Sequence, residues 1–304
     1  MKVYALVAAL GISGAAQAQD PLPPTRRGDF GVRYWVSTGE VKRSHNAQGF
    51  IPSLGNPTSV LVYENLDANV FELFGRQNFA NRLYLKGTVG GGRVTRGMFD
   101  DKDFDAGQVL TDHTTSSVSE GRIGYGTIDL GHQWVLREGA VTFGVFAGFS
   151  QWTEEVEASG TTVHAGSQVP ASPDTRVITN ETRWRALRVG LDAEVRFGGR
   201  TRLSVDLAVN PYAKVREQDS HHLRPDLGPV PNIQLEGEGW GVQWDAELRY
   251  EIRRRTELGL GVRYWHMEID TGTRALPNVI FPKLPLTELY STRFGAMLSL
   301  RRVW

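Results

Sequence analysis

The sequence predicts an all-β protein, a ten-stranded antiparallel transmembrane β-barrel with short turns at one end and long loops at the other. Three observations carry this: long runs in which apolar and polar residues alternate, connections that alternate short and long, and an export-type N-terminus. Trp240, Val242, Trp244, Ala246, Leu248, Tyr250 and Ile252 are apolar, and Gln243, Asp245, Glu247, Arg249, Glu251 and Arg253 between them are polar. Successive side chains of a strand face opposite ways, so one face is apolar and the other charged. The pattern recurs. Leu187, Val189, Leu191, Ala193, Val195 and Phe197 interleave with Arg188, Gly190, Asp192, Glu194 and Arg196. Leu203, Val205, Leu207 and Val209 follow, and Leu83, Leu85 and Val89 oppose Arg82, Tyr84 and Lys86. A tilted strand crosses a bilayer in about 9–11 residues, a length the longest runs reach.

The connections order the strands. Short turns are expected at Gln77–Asn81, Arg137–Ala140, Gly198–Arg200 and Arg253–Thr256. Long polar or proline-rich loops are expected at Glu40–Pro57, Met98–Ser119, Ala158–Thr182, Gln218–Gln234 and Thr271–Leu289. Short periplasmic turns and long extracellular loops are the habit of outer-membrane barrels. An exported N-terminus starts in the periplasm, so the first connection should be a long outer one, as it is. The last strand places Phe294, Ala296, Leu298 and Leu300 on the face of the terminal Trp304, interrupted by Arg302. A terminal aromatic on an alternating strand resembles the assembly signal of such barrels.

The N-terminus points to the compartment. Lys2 precedes an apolar run from Val3 to Ile12, and Ala16-Gln17-Ala18 is a small-x-small cleavage site before Gln19. The run is shorter than the roughly 20 residues of a transmembrane helix. Residues 1–18 are therefore expected to be a signal peptide and 19–304 the barrel domain, located in the cell outer membrane. A secreted soluble sandwich is the alternative fold.

Composition excludes several functions. With no cysteine there is no disulfide framework, thiolate metal site or thiol nucleophile. Thirty-four basic residues balance thirty-four acidic ones, so no global field favours a nucleic-acid partner. Thirty-four glycines and eight tryptophans suit strands, turns and aromatic girdles.

Function has to come from the outer rim, since a fold does not supply it. Asp101 and Asp103 lie two apart in the run Asp100–Asp105, so in extended backbone their carboxylates project to one side. Such a pair can share a proton or hold a water for attack. A solvated acidic loop or a weak Ca²⁺ site is the plainer reading. Asp219 and His221 repeat the spacing, and a carboxylate beside an imidazole orients it and stabilises its protonated form. His221 and His222 face opposite ways and chelate poorly, so no metal site is expected. Gly90-Gly91-Gly92 is followed by no helix and reads as a bend or a close backbone approach rather than a phosphate cradle.

Asp-x-Asp above the third strand with Asp-x-His above the seventh resembles the omptin family of outer-membrane proteases. The resemblance covers most of residues 19–304: "FDDKDF" is similar to that family's Asp-x-Asp followed by an aromatic, and "EQDSH" to its acid-x-Asp-x-His. It implies His221 as general base on a nucleophilic water, Asp219 as its orienter, and Asp101 and Asp103 as a facing acid pair that binds the water and stabilises the tetrahedral intermediate. It implies Glu217 as a substrate-binding acid at the bottom of a pocket for a basic residue. It also implies lipopolysaccharide as an activating lipid, in place of any cofactor, and a peptide or protein substrate at the cell surface. The barrel is expected to be a monomer in outer-membrane lipid.

Two departures stand out. Four residues after Gly39, where the family carries a second pocket acid, this chain has Arg43. In addition, "FSQWTEEVEASG" after the fifth strand lacks the arginine that engages lipopolysaccharide. Preference for a basic substrate residue should therefore weaken. The competing function is a non-catalytic barrel of the same shape, acting in adhesion or envelope integrity. A diffusion pore is disfavoured, because Asp192, Glu194, Arg196, Asp245, Glu247 and Arg249 would fill the interior. Whether Asp101/Asp103 and Asp219/His221 face each other across the rim separates the readings.

Overall fold

The computed structural model describes residues 27–304, so the expected signal peptide and its cleavage after Ala18 lie outside the described residues. The strands are β1 (Gly28–His45), β2 (Leu54–Asn78), β3 (Leu83–Asp105), β4 (Val109–Leu136), β5 (Val141–Ala165), β6 (Ala171–Phe197), β7 (Thr201–His221), β8 (Ile233–Arg253), β9 (Thr256–Ala275) and β10 (Leu284–Val303). They pair antiparallel in chain order, and β10 pairs back onto β1 from Asp29↔Val303 to Arg43↔Leu289, closing the ring. The first and last described residues meet at the short-turn end, where Arg27 N donates to Trp304 O at 2.8 Å. Closure leaves no unpaired edge, which is the condition for strands to cross lipid.

The outer surface of the lower half is an apolar belt. Val205, Leu207 and Val209 on β7, Leu248 and Tyr250 on β8, and Leu298 and Leu300 on β10 are all exposed. Their strand neighbours turn inward as the alternation requires: Arg202, Gln243, Glu247 and Arg249 are buried in the lumen. The buried charges are paired there. Arg33 and Arg263 both grip Glu72, and Arg263 also binds Asp245 at 2.6 Å. An unpaired charge at such a position would cost several kcal/mol.

Higher up the polarity inverts, as β7 shows. On β7 the register slips between Asn210 and Ala213. Beyond it Val215 is buried inside, whereas Lys214 and Arg216 stand exposed beside Glu238 and Glu236. The upper half thus has a water-facing exterior and an interior in which apolar side chains such as Leu61, Tyr63, Phe99 and Val215 surround a few buried charged groups. At the transition Trp35, Tyr125, Trp152 and Trp265 form an aromatic layer across the lumen. Ring centroids are 5.5 Å apart for Trp35–Trp265, 4.7 Å for Tyr125–Trp265 and 5.9 Å for Trp152–Trp265. Arg263 caps it, 4.8 Å from the Trp265 ring and 5.0 Å from Trp35. Gly90 makes room for this layer, since a Cβ there would lie 2.3 Å from the Tyr125 ring. The close-approach reading of the triple glycine is the one the fold uses at Gly90.

The expected long loops are corrected. Most of their residues belong to strands: β3 and β4 run on to Asp105 and Val109, and β7 to His221. Above the belt a strand needs no apolar outer face, so the contrast that marks a membrane span fades while the backbone ladder continues. The four short turns fall where expected. The Asp-x-Asp and Asp-x-His pairs therefore sit on ordered strands rather than in loops.

Candidate active site

Pairing across the sheet places the acids on one wall. Asp101 on β3 pairs with Leu61, which pairs with Arg43 on β1; one row higher, Asp103 pairs with Ser59, which pairs with His45. Cross-strand partners share a face. Leu61, Arg43, Ser59 and His45 are all buried, so both rows point into the mouth. On the opposite wall Asp219 on β7 pairs with Asn180 and Ile233, and His221 with Ile178. A cavity of about 530 Å³ above the aromatic layer is lined by Asp101, Asp103, Asp219 and His221 together. Arg43, Arg224 and Arg274 complete its charged lining, and His45 lines it as well.

Asp219 is the best-held group. Its Oδ2 receives Arg43 Nη2 at 2.8 Å and lies 2.9 Å from His221 Nε2, and Asn180 Nδ2 reaches Oδ1 at 3.4 Å. Burial alone would lift its carboxyl, but the charge of Arg43, then that of His221, hold it down to about 2. An ionised carboxylate can only accept, so His221 Nε2 donates to Asp219, and in the neutral ring the lone pair lies on Nδ1.

Asp101 is the opposite case. Burial, then the negative charge of Asp103, push it up to about 8. Its Oδ1 is buried and accepts no protein hydrogen bond. Burial raises Asp103 as well, against the pull of the Ser59 hydroxyl. At neutral pH Asp101 therefore holds a proton beside a second carboxyl, so that the pair can both donate to and accept from one water.

The structure brings four of the five expected residues to one cavity and leaves Glu217 beneath it. Glu217 is enclosed: Arg43 Nη1 binds Oε1 at 2.6 Å and Thr182 Oγ1 donates to Oε2 at 2.9 Å. Its carboxyl is raised despite Arg43, because it is fully buried and Asp219 adds a like charge. His222 lies outside the cavity, with Nε2 2.9 Å from Thr179 Oγ1. Among the described residues no group of His, Asp and Glu side chains is arranged to hold a metal.

Several lining residues were not singled out from the sequence. His45, two residues after Arg43 and on the same face, had the same i, i+2 signal as the two acid pairs. Burial, then Arg274 and Arg43, push it down to about 3, so it is neutral. Arg274 carried no local signal at all; its place follows only from pairing with Leu235, the register neighbour of Glu217.

By sequence the chain matches no protein-family model and no curated protein. By structure it is similar to the outer membrane protease OmpT from Escherichia coli, with a TM-score of 0.73 at 12% identity, over 94% of this chain and 99% of that one. OprG from Pseudomonas aeruginosa gives 0.37 at 10% identity, over 90% and 96% of the chains. Ail of Yersinia pestis gives 0.30 at 8%, over 90% and 99%. Those two scores fall below the level of a shared fold. The first, with the apolar belt, makes the fold that of an omptin-like outer-membrane barrel.

Proposed function

We propose that this omptin-like barrel is an endopeptidase of the bacterial surface, in which a water between the Asp101/Asp103 pair and the Asp219/His221 pair attacks the peptide carbonyl. The observation that carries the reading is the single cavity lined by all four side chains, with His221 held by an ionised Asp219. His221 Nδ1 takes the proton as water oxygen bonds to the carbonyl carbon, and Asp219 offsets the imidazolium charge. The proton on Asp101 bonds the oxyanion of the tetrahedral intermediate in this reading. Collapse breaks the C–N bond, and His221 returns its proton to the leaving amine. Water as nucleophile needs neither cysteine nor a serine triad.

Glu217 enters this reading differently from the resemblance. Neutralised by Arg43 and shielded from the cavity, it supports Arg43 rather than a basic substrate residue. Lipopolysaccharide belongs to the proposal as the surrounding lipid: half-buried Arg183, paired with Glu181, and exposed Arg185 on β6 stand just above the belt, and Arg185 Nε binds Gln151 at 3.2 Å. These are cations suited to lipid phosphates.

The second reading, a non-catalytic barrel in adhesion or envelope integrity, draws on the same Arg43. Its fork ties up Asp219 and draws on the charge that His221 would use as a base. The test is digestion of an unbiased peptide library by the protein folded in detergent with lipopolysaccharide. Cleavage in H₂¹⁸O should place one ¹⁸O in each new carboxylate. A barrel with heat-modifiable gel mobility that leaves every peptide intact would establish the second reading.

A further inference from the structure

We propose that the cavity binds a carboxylate-bearing side chain through Arg274, so that its peptide ligands carry Glu or Asp where an omptin-like pocket would otherwise take a basic residue. This rests on the endopeptidase reading for cleavage, but binding stands or falls on its own.

The cations of the cavity are unequally satisfied. Arg43 is matched by two buried carboxylates, Glu217 at 2.6 Å and Asp219 at 2.8 Å. Arg224, at the rim, is engaged by Asp226 through Nε and Nη2 at 2.9 and 2.7 Å. Arg274 lines the cavity, half-buried, and among the described residues no carboxylate lies within 4.0 Å of its guanidinium. Asp219 and Asp103 act on it only at longer range, while burial and the neighbouring Arg43 pull it down to about 10, where it is still cationic at neutral pH.

A partly desolvated, unmatched guanidinium facing a cavity gains most from an anion brought to it. A carboxylate fits better than a phosphate dianion. It presents two oxygens to the planar fork, and its single charge is repelled less by Asp219 and Asp103. Leu235, the register partner of Arg274, and Leu286 line the same cavity and can cover the methylenes of a glutamate. A lysine side chain would meet Arg43 and Arg274 instead of Glu217.

The experiment uses the intact folded barrel and fluorescent peptides, acetylated, amidated and N-methylated along the backbone against cleavage, with Glu, Gln or Lys scanned through each central position. At one position Glu should bind about 10–100-fold more tightly than Gln, and Lys more weakly than either. Arg274→Gln should erase the Glu preference and Arg274→Lys should retain part of it, both with the heat-modifiable mobility of a folded barrel. Equal binding of Glu and Gln, tightest binding of Lys, an unaltered preference in Arg274→Gln, or a gain only from a free C-terminal carboxylate would overturn the proposal. A Glu preference without cleavage of any peptide would remove the endopeptidase reading and leave this one standing. Cleavage without a Glu preference would do the reverse.

Discussion

Arg43 reaches from β1 across the mouth of the barrel to Asp219 on β7, its Nη2 2.8 Å from the same carboxylate oxygen that His221 engages at 2.9 Å. One guanidinium thus ties opposite walls together and sets the charge of the acid behind the imidazole.

Arg43→Met should be strongly destabilising. It strands Glu217 and Asp219, both fully buried, without a counter-charge, and removing one partner of such a group costs about 3–5 kcal/mol. Thermal loss of the fast-migrating gel form should occur at lower temperature, and adding Glu217→Gln should restore part of the loss. An unchanged transition would mean that the fork contributes nothing.

Asp101 and Asp219 should bend the pH dependence of stability in opposite directions. Asp101 titrates near 8 when folded and near 3.8 when free, so its contribution is complete below about 3.8 and is lost as pH rises through 8. Asp219, held near 2, contributes fully above about 3.8 and loses its contribution as pH falls through 2. Asp101→Asn should therefore match the parent at pH 4 and melt at higher temperature at pH 9. Parallel melting curves at both pH values would contradict the assignment. Catalysis needs the Asp101 proton in this mechanism, so the parent's rate should also decline above about pH 8.

Much of this barrel was legible in the sequence, for a physical reason. Lipid demands an apolar outer face and the lumen a polar one, and β8 records both in the alternation from Trp240 to Ile252. Above the belt water replaces lipid and the demand disappears, which is why Met98–Ser119 read as a loop although β3 and β4 continue through most of it. The change of phase at Pro211, where the outward Val209 gives way to the inward Val215, is visible in the sequence only once the inversion of polarity is known. Each acid or acid–imidazole pair was legible because i, i+2 spacing on a strand is local. The fork of Arg43 joins residues 174 and 176 positions away, and nothing in a linear sequence marks such a contact.

Gly90→Val should disturb the aromatic layer. Its branched side chain would start 2.3 Å from the Tyr125 ring, and overpacking of this kind costs about 1–3 kcal/mol. Combining it with Tyr125→Ala should relieve the clash. A fully stable single variant, measured by the same melting assay, would show that the layer yields more readily than its packing suggests.

His222→Ala offers a neighbouring control. The ring bonds Thr179 and does not line the cavity, so peptide cleavage should stay within about twofold of the parent. A large loss would move the active imidazole from 221 to 222.

The most direct test of the central claim is the initial rate of the parent against His221→Ala on the best-cleaved library peptide. Both proteins should be folded in detergent with lipopolysaccharide and matched for heat-modifiable mobility. If His221 is the general base, the variant should be slower by about 10²–10⁴-fold with little change in KM. Equal rates would contradict the mechanism and place the chemistry outside the cavity lined by Asp101, Asp103, Asp219 and His221.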